Sequence, residues 1–435
     1  MKFTIGKVLA WPLTAFIALA GCTGATTGSG NETPAAVQEE ATPVTLSFYI
    51  DVPLSEEEFR TFFADPVKQK YPHITLDMIK KEKGKMPQDL AVSGIVPDVI
   101  LAATTTVSAW QRLDMVEDLN PYIQQAKLDM SRFNPVAADS LKMYSDTGET
   151  VALPYVINWT AMFYNKGIFD KLAIPYPKDG MDWAAAIELN RQLTRTIDGV
   201  PVRGVDPEAV DKMGFYFTLD YVDKSTGKSN LESPGFVKLM ETAYAIYSVP
   251  GHQISGNYLN NFTQNKNVAA VITSANSLAP MLQKLQDEGS PMDWDMVSPP
   301  QTPEGMGTSS ELDAHYMIMN KHSKHKQQTF EVMQLIVSDE VQETIARAGR
   351  LPSIKLTDAH KSVFASDLSS FKGKNLNAAL GITPRENHYT TPYDKAGRDE
   401  LKKAFTEMLN GKDVNTVLRE ASEKHNKYIE SEMAK

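Results

Sequence analysis

The spacing of hydrophobic and polar residues predicts strands and helices in turn. Apolar side chains occupy every second position of residues 44–50, which is the period of a half-buried strand. Ser55 and Glu58 then form a capping-box pattern, and apolar residues follow at helical spacing over 59–67. Short apolar runs predict two more strands, at 74–79 and 97–101. Such alternation predicts an α/β architecture with parallel sheets.

The same alternation continues towards the C-terminus. Further strands are predicted at 151–157, 161–164, 268–272 and 316–319. Helices are predicted at 183–194, from Ser323, from Ser338 to Gly349, and around the apolar positions of 401–409 and 418–429. A chain of 435 residues is long enough for two or three domains.

Composition and charge exclude several classes of function. Lys and Arg number 44 against 54 Asp and Glu, a net charge of −10 that predicts no affinity for nucleic acid. The single cysteine, Cys22, excludes an internal disulfide and a cysteine-only metal site. The sequence contains no P-loop, no G-x-S-x-G elbow and no H-E-x-x-H motif. We therefore expect no ATP hydrolysis, no cofactor and no metal, whereas paired catalytic carboxylates stay possible because they can lie far apart in a sequence.

The N-terminal segment has the pattern of a secretory signal. Lys2 and Lys7 precede an apolar stretch at 8–20, too short to span a membrane. Leu19-Ala20-Gly21-Cys22 resembles the lipobox of bacterial lipoproteins, which implies a signal peptide over 1–22 and a lipid such as palmitate on Cys22. Residues 23–44 are predicted to form a flexible tether. No later stretch is apolar enough for a transmembrane helix.

Several segments, in a shared order, resemble the family 1 extracellular solute-binding proteins, the receptors of bacterial carbohydrate ABC importers. The segments are FFADPVKQKYPHI at 62–74, GIVPDVI at 94–100, LPYVINWTAMFYNKGIFD at 153–170, and the regions 274–281 and 316–352. The resemblance covers nearly the whole chain from residue 44 onward.

This resemblance implies a two-lobe, periplasmic-binding-protein-like fold of type II, with three crossover segments and a ligand cleft between the lobes. The expected lobes are 45–156 with 317–372, and 157–316 with 373–435. The implied protein is a monomer and not an enzyme. It is held by Cys22 at the extracellular face of the cell membrane, as in Gram-positive bacteria. Its implied partners are a small carbohydrate and the permease subunits of an ABC importer.

A sugar site needs aromatic rings for stacking and polar side chains for paired hydrogen bonds. The resemblance places Trp159 and Asn158 at the first crossover, where the family contacts ligand. Because open α/β sheets bind ligands beyond the carboxyl ends of their strands, further candidates follow predicted strands. The remaining candidates are Asp51, Thr104, Thr105, Ser274, Asn276, Tyr316 and Trp294.

Three other functions stay open at this point. A lipid-anchored polysaccharide hydrolase would need two carboxylates flanking a cleft, and Asp293 with Asp295 is one candidate pair. A receptor for a non-sugar solute such as an organic anion would favour an arginine or a helix N-terminus in the cleft. A surface adhesin would present a flat apolar patch. The identity and linkage of a sugar depend on loop geometry that no local motif encodes.

Overall fold

Two mixed β-sheets carry the fold. A computed structural model of the chain describes residues 42–145, 147–252 and 256–434. The expected signal peptide at 1–22, its Cys22 and nearly all of the tether expected at 23–44 lie outside the described residues. Within them, no helix combines the length and apolar character needed to cross a membrane.

The strands alternate with helices along most of the chain. They are β1 (Val44–Asp51), β2 (Ile74–Lys80), β3 (Val99–Ala103), β4 (Leu153–Asn158), β5 (Thr160–Asn165), β6 (Arg195–Ile197), β7 (Val200–Asp206), β8 (Val268–Ser274), β9 (Trp294–Val297), β10 (Thr308–Glu311), β11 (Asp313–Met319), β12 (Leu351–Pro352) and β13 (Thr383–Arg385).

The helices cover the faces of both sheets. They are α1 (Glu56–Phe59), α2 (Asp65–Lys70), α3 (Pro87–Ser93), α4 (Val107–Arg112), α5 (Asn120–Ala126), α6 (Pro135–Ser140), α7 (Lys166–Leu172), α8 (Trp183–Leu193), α9 (Val210–Met213), α10 (Pro234–Tyr247), α11 (Tyr258–Thr263), α12 (Ala275–Asp287), α13 (Lys326–Ile336), α14 (Asp339–Arg347), α15 (Asp358–Val363), α16 (Asn377–Leu380), α17 (Asp394–Leu409) and α18 (Val414–Met433).

The larger sheet has six strands in the order β12-β4-β11-β3-β1-β2, and the smaller has five in the order β6-β7-β8-β5-β9. Strand β1 pairs in parallel with β2 and β3, and β7 pairs in parallel with β8. Strands β11 and β5 run antiparallel to their neighbours, so both sheets are mixed and the expectation of parallel sheets is confirmed only for the first three pairs. Each of these two strands begins where the chain arrives from the other sheet. The neighbouring parallel strands end at that edge, so β5 and β11 run in the opposite direction.

The chain first passes from the six-stranded sheet to the five-stranded sheet through one residue, Trp159. Strand β4 ends at Asn158 in the six-stranded sheet, and β5 begins at Thr160 in the five-stranded sheet. The chain returns with β11, which already belongs to the six-stranded sheet at Asp313, upstream of the expected lobe boundary between residues 316 and 317. The structure confirms three of the predicted elements to within a residue or two at each end: the strands at 44–50 and 74–79 and the helix at 183–194.

Three buried clusters stabilise these layers. One packs α1, α2, α13 and α14 on the outer face of the six-stranded sheet. A second packs α8, α10, α17 and α18 on the five-stranded sheet. The third extends from one sheet to the other and includes Tyr49, Trp159 and Trp294. The two sheets therefore share one continuous apolar cluster.

Gly204 sits where β7 passes closest to helix α8. A Cβ atom there would lie 2.6 Å from the backbone oxygen of Asn190 and 2.9 Å from its Cα. Asn190 cannot move aside easily, because its side chain accepts from the Val205 amide (2.8 Å) and donates to the Ile246 carbonyl (2.9 Å).

We expect Gly204→Ala to lower the free energy of unfolding by about 1–3 kcal/mol, because an added methyl overpacks this contact. Urea denaturation measures the change. Gly256→Ala is the control, since a Cβ there meets no atom within 4 Å. Equal stability of the two variants would contradict the close approach of β7 and α8.

Candidate functional site

A cavity of about 430 Å³, with both apolar and polar lining, lies between strand ends of the two sheets. The six-stranded sheet contributes the residues after β3 and the start of β11, and the five-stranded sheet contributes the start of β5 and the end of β8. Its polar lining includes Thr104, Thr105, Thr160, Glu208, Lys212, Ser274, Asn276, Ser310, Glu311, Asp313, His315, Asn387, His388 and Thr390. Of the predicted residues, the cavity therefore brings together Thr104, Thr105, Ser274 and Asn276.

The two threonines after β3 differ in availability. The hydroxyl of Thr104 is buried and bonds to the backbone of Ala314, donating to its carbonyl (3.1 Å) and accepting from its amide (3.2 Å). Thr105 is exposed at the cavity. Thr104 therefore joins β3 to β11, and Thr105 is the one of the pair that presents a hydroxyl.

Ser274 and Asn276 lie where β8 passes into α12. Their side chains bond to each other, and both are half-buried. The amide of Ala275, the first residue of α12, donates to the carbonyl of Trp159 (2.9 Å). The start of this helix is thereby tied to the crossing between the sheets.

Glu208 lies beside the same strand end and was missed by sequence reasoning. It follows β7, and its carboxylate accepts a hydrogen bond from the hydroxyl of Thr273 in β8. Its backbone has φ 67°, a left-handed conformation uncommon outside glycine. The rule of carboxyl strand ends would have found Glu208 if β7 had been predicted, but Pro201 and Gly204 obscure the strand pattern.

Asn158 is buried and positions cavity residues. Its amide nitrogen donates to the carboxylate of Asp313 (3.0 Å) and to Nε2 of His315 (2.9 Å). Its amide oxygen accepts from Arg350 (2.7 Å), whose guanidinium also binds Glu58. Burial lowers the pKa of His315 to about 4, so its ring is neutral and accepts at Nε2. All polar atoms of the Asn158 side chain are thus engaged within the protein, and it lies outside the cavity lining.

His388 lies between two buried carboxylates at the other side of the cavity. Its Nδ1 is 2.7 Å from Glu311 and its Nε2 is 3.2 Å from Asp394. Burial works against protonation of His388, but the hydrogen bonds to Asp394 and Glu311 outweigh it and raise its pKa to about 10. Burial raises the pKa of Glu311, and the bond from His388 opposes that effect. The charged imidazole fixes the segment before α17 against β10.

The aromatic lining of the cavity consists of Phe215, Tyr216 and Tyr258. Phe215 and Tyr258 are half-buried, whereas Tyr216 is buried. No local signal distinguishes these rings from core aromatics, which is why sequence reasoning did not find them.

The tryptophans predicted for the site are core residues. Trp159 is 5% exposed; its indole nitrogen donates to the Gly349 carbonyl (2.9 Å), and its ring packs against Phe163, Phe364 and Phe371. Trp294 is buried against Phe163 and Phe371. The prediction that Trp159 lies in the cleft is therefore wrong, because β5 and the segment after α15 enclose its ring with apolar side chains.

Tyr316 and Asp51 also lie outside the cavity lining. Tyr316 is fully buried, and its hydroxyl shares a hydrogen bond with Ser140 (2.6 Å). The carboxylate of Asp51 accepts from the indole nitrogen of Trp110 (3.0 Å) and pairs with Lys81. These local partners explain why neither side chain reaches the cavity.

The carboxylate pair considered for a hydrolase is not at the cavity. Asp293 lies 3.7 Å from the ammonium of Lys166, and Asp295 accepts from the amide of Asn375 (2.8 Å). In the part of the chain that the structure describes, no cluster of His, Cys, Asp or Glu has a geometry that could hold a metal ion.

Two α/β lobes around a cavity define the fold of a two-lobe, periplasmic-binding-protein-like receptor. The chain belongs to a family of binding proteins rather than enzymes: the family described as "Bacterial extracellular solute-binding protein" matches residues 63–367. A search of curated proteins finds no matching sequence.

Solved structures share this fold across nearly their whole length. The ABC substrate-binding protein of Listeria monocytogenes in complex with cycloalternan has a TM-score of 0.71 at 16% identity, covering 89% of this chain and 99% of that chain. The sugar-binding protein MalE from Xanthomonas citri has a TM-score of 0.69 at 17% identity, covering 90% and 98%. The GacH receptor of Streptomyces glaucescens, solved also with acarbose, has a TM-score of 0.66 at 17% identity, covering 90% and 99%.

Because Trp159 is buried between the sheets, we expect Trp159→Ala to lower the free energy of unfolding by about 3–5 kcal/mol through the cavity it leaves. Thermal and urea denaturation measure this loss. Trp159→Phe is the matched variant, and we expect a smaller loss since it keeps most of the apolar volume. An alanine variant as stable as the wild type would contradict the core position of Trp159 and would favour a position at the surface of the cavity.

The charged His388 makes stability depend on pH. Since its pKa is raised from 6.5 to about 10, its stabilising contribution is complete below pH 6.5 and is lost as the pH rises to about 10. We expect His388→Gln to cost about 3 kcal/mol at pH 6 and progressively less towards pH 10, because it leaves two buried carboxylates without a cation.

Urea denaturation at a series of pH values tests this. His322→Gln is the control for the same replacement at an exposed position, where it leaves no buried carboxylate without a partner. An equal cost of His388→Gln at pH 6 and pH 10 would show that His388 is not charged in the folded protein.

Proposed function

We propose that this protein captures an oligosaccharide outside the cell and delivers it to the permease of an ABC importer. The observation that carries the proposal is the composition of the cavity between the two sheets. It combines half-buried aromatic rings, hydroxyls and carboxylates, the groups that recognise the faces and edges of sugar rings. The ligands named for the structural neighbours, cycloalternan and acarbose, support the same class of solute.

The ligand contacts proposed here come from both sheets. Phe215 and Tyr258 supply rings for stacking on the five-stranded side, where Ser274, Asn276 and Glu208 supply polar groups. Thr105 and Asp313 supply hydrogen bonds from the six-stranded side. A ligand that touches both sets favours the closed arrangement of the lobes, so closure follows from differential binding.

The proposed lobes are those expected from the sequence, 45–156 with 317–372 and 157–316 with 373–435, except that the end of β4 and the start of β11 are counted with the first lobe. The protein is proposed to act as a monomer. We further propose that the signal peptide is removed before Cys22. Lipid on Cys22, such as palmitate, would then hold the protein at the outer face of the cell membrane, as in Gram-positive bacteria. Several acyl chains give stable anchoring where one chain is marginal.

A thermal-shift screen against neutral, acidic and amino oligosaccharides tests the proposal, since a ligand that binds the folded state raises the melting temperature. The same screen includes organic anions and polyol phosphates, the alternative class of solute. Small-angle scattering with a confirmed ligand then tests closure, which predicts a smaller radius of gyration. If only organic anions or polyol phosphates raised the melting temperature, the sugar proposal would be wrong and the solute would belong to that alternative class.

We expect Phe215→Ala to weaken oligosaccharide binding about tenfold to a hundredfold, because an aromatic stacking face at the centre of a site contributes about 1.4–2.8 kcal/mol. Titration calorimetry with the strongest ligand of the screen measures the loss. Phe217→Ala is the matched control, because Phe217 is also half-buried but packs against Trp183 outside the cavity lining. Unchanged affinity of the Phe215 variant would remove the stacking role of that ring.

A further inference from the structure

The charged groups around the cavity are unevenly distributed. Among the described lining residues there are three carboxylates, on Glu208, Glu311 and Asp313, and no arginine. The cations of the described lining are the charged His388 and the exposed Lys212, whose ammonium lies 5.8 Å from the centre of the Phe215 ring, so carboxylates outnumber cations by three to two. Apolar walls lower the local dielectric, so carboxylates here act more strongly on a ligand charge than they would in water.

The buried cations near the cavity already have protein partners. His388 lies between Glu311 and Asp394, with its ring nitrogens 2.7 Å and 3.2 Å from their oxygens. Arg350 binds Glu58 and Asn158. Neither buried cation is therefore available to an anionic ligand, which leaves Lys212 against the carboxylates of Glu208 and Asp313.

Glu208 is held in place by three contacts. Its amide donates to the carboxylate of Asp206 (3.1 Å), and its carbonyl accepts from the hydroxyl of Tyr247. Its own carboxylate accepts from Thr273. Left-handed backbone at a non-glycine residue persists only where the surroundings fix it, and such residues cluster at binding sites. The direction of this carboxylate is thus set by the protein itself.

The N-terminus of α12 could in principle attract an anion to the same place. However, the amide of its first residue, Ala275, is already engaged by the Trp159 carbonyl (2.9 Å). Glu208 is bonded to Thr273, two residues before Ala275, and lines the same cavity as Ser274 and Asn276. A ligand anion that approached this helix end would therefore share the cavity with the Glu208 carboxylate.

We infer that Glu208, supported by Asp313, selects the ligand by charge: the site accepts neutral and amino-bearing oligosaccharides and rejects those that carry carboxylate groups. This inference rests on the proposed function, since it names the class of sugar that the same cavity takes. A ligand carboxylate would lie against a fixed carboxylate of like charge, whereas an ammonium group would pair with it.

The test is titration calorimetry with trisaccharides matched in linkage that differ only in charge. The probes are α-1,4- and β-1,4-linked gluco-, manno- and galacto-trisaccharides, each as the neutral sugar, the 2-amino sugar and the uronate. In the linkage series that binds, we expect the amino form to bind at least as tightly as the neutral form, and the uronate at least tenfold more weakly. The difference should shrink at high salt.

Glu208→Gln keeps the size of the side chain and removes its charge. We expect it to narrow the ratio of neutral to uronate affinity about tenfold, and Asp313→Asn provides a second variant should the first fold poorly. Glu430→Gln, on the exposed surface of α18, is the control and leaves the ratio unchanged. Melting temperatures establish that each variant is folded.

The outcomes separate this inference from the proposed function. Uronates that bind as tightly as neutral sugars, amino sugars that fail to bind where neutral ones do, or a ratio unchanged by both variants would overturn the charge selection alone. If no trisaccharide of any charge binds, the proposed function fails and the inference fails with it.

Discussion

The arrangement of the two sheets depends on how the chain is held at Asn158 and Trp159, where it leaves one sheet for the other. The Trp159 ring is buried among Phe163, Phe364 and Phe371, and its N–H is bonded to Gly349. This joins the apolar layers of both sheets into one cluster. The neighbouring Asn158 ties the end of β4 to β11 and to Arg350 by hydrogen bonds, all on the side of the six-stranded sheet. Apolar packing thus holds the crossing on one side, and a fully paired amide holds it on the other.

The residues of this crossing position side chains on both sides of the cavity. Asp313 faces the cavity and is bonded to Asn158, which in turn is bonded to Arg350. On the other sheet, the first amide of α12 is bonded to the Trp159 carbonyl, so the residues at the end of β8 are positioned by the same two-residue segment. The cavity residues Asp313, Ser274 and Asn276 are therefore held in place by Asn158 and Trp159, which do not line the cavity. Such support reduces the ordering that binding would otherwise require.

The alternation of strands and helices was predictable because it depends on local period, as β1 and the capping box at Ser55 show. Thr105, Ser274 and Asn276 were predictable because parallel strand ends share one edge of a sheet. The role of Trp159 was not, since whether an indole at a crossing faces a cleft or a core depends on Phe364 and Phe371, two hundred residues further along the chain. Phe215 was missed for the same reason, because its surroundings are assembled by distant segments.

The polar residues close to the cavity divide into two groups by their hydrogen bonds. The first group forms its hydrogen bonds within the protein. His388 bonds to Glu311 and Asp394, Asn158 bonds to Asp313, and Thr104 bonds to Ala314. Buried polar groups that are fully paired specify one arrangement of the chain and offer little to a ligand. Thr105 and Lys212 are exposed at the lining, and Glu208 is half-buried there. A receptor that must bind and release its solute needs this division, because a rigid inner set keeps the geometry while the outer set exchanges water for ligand.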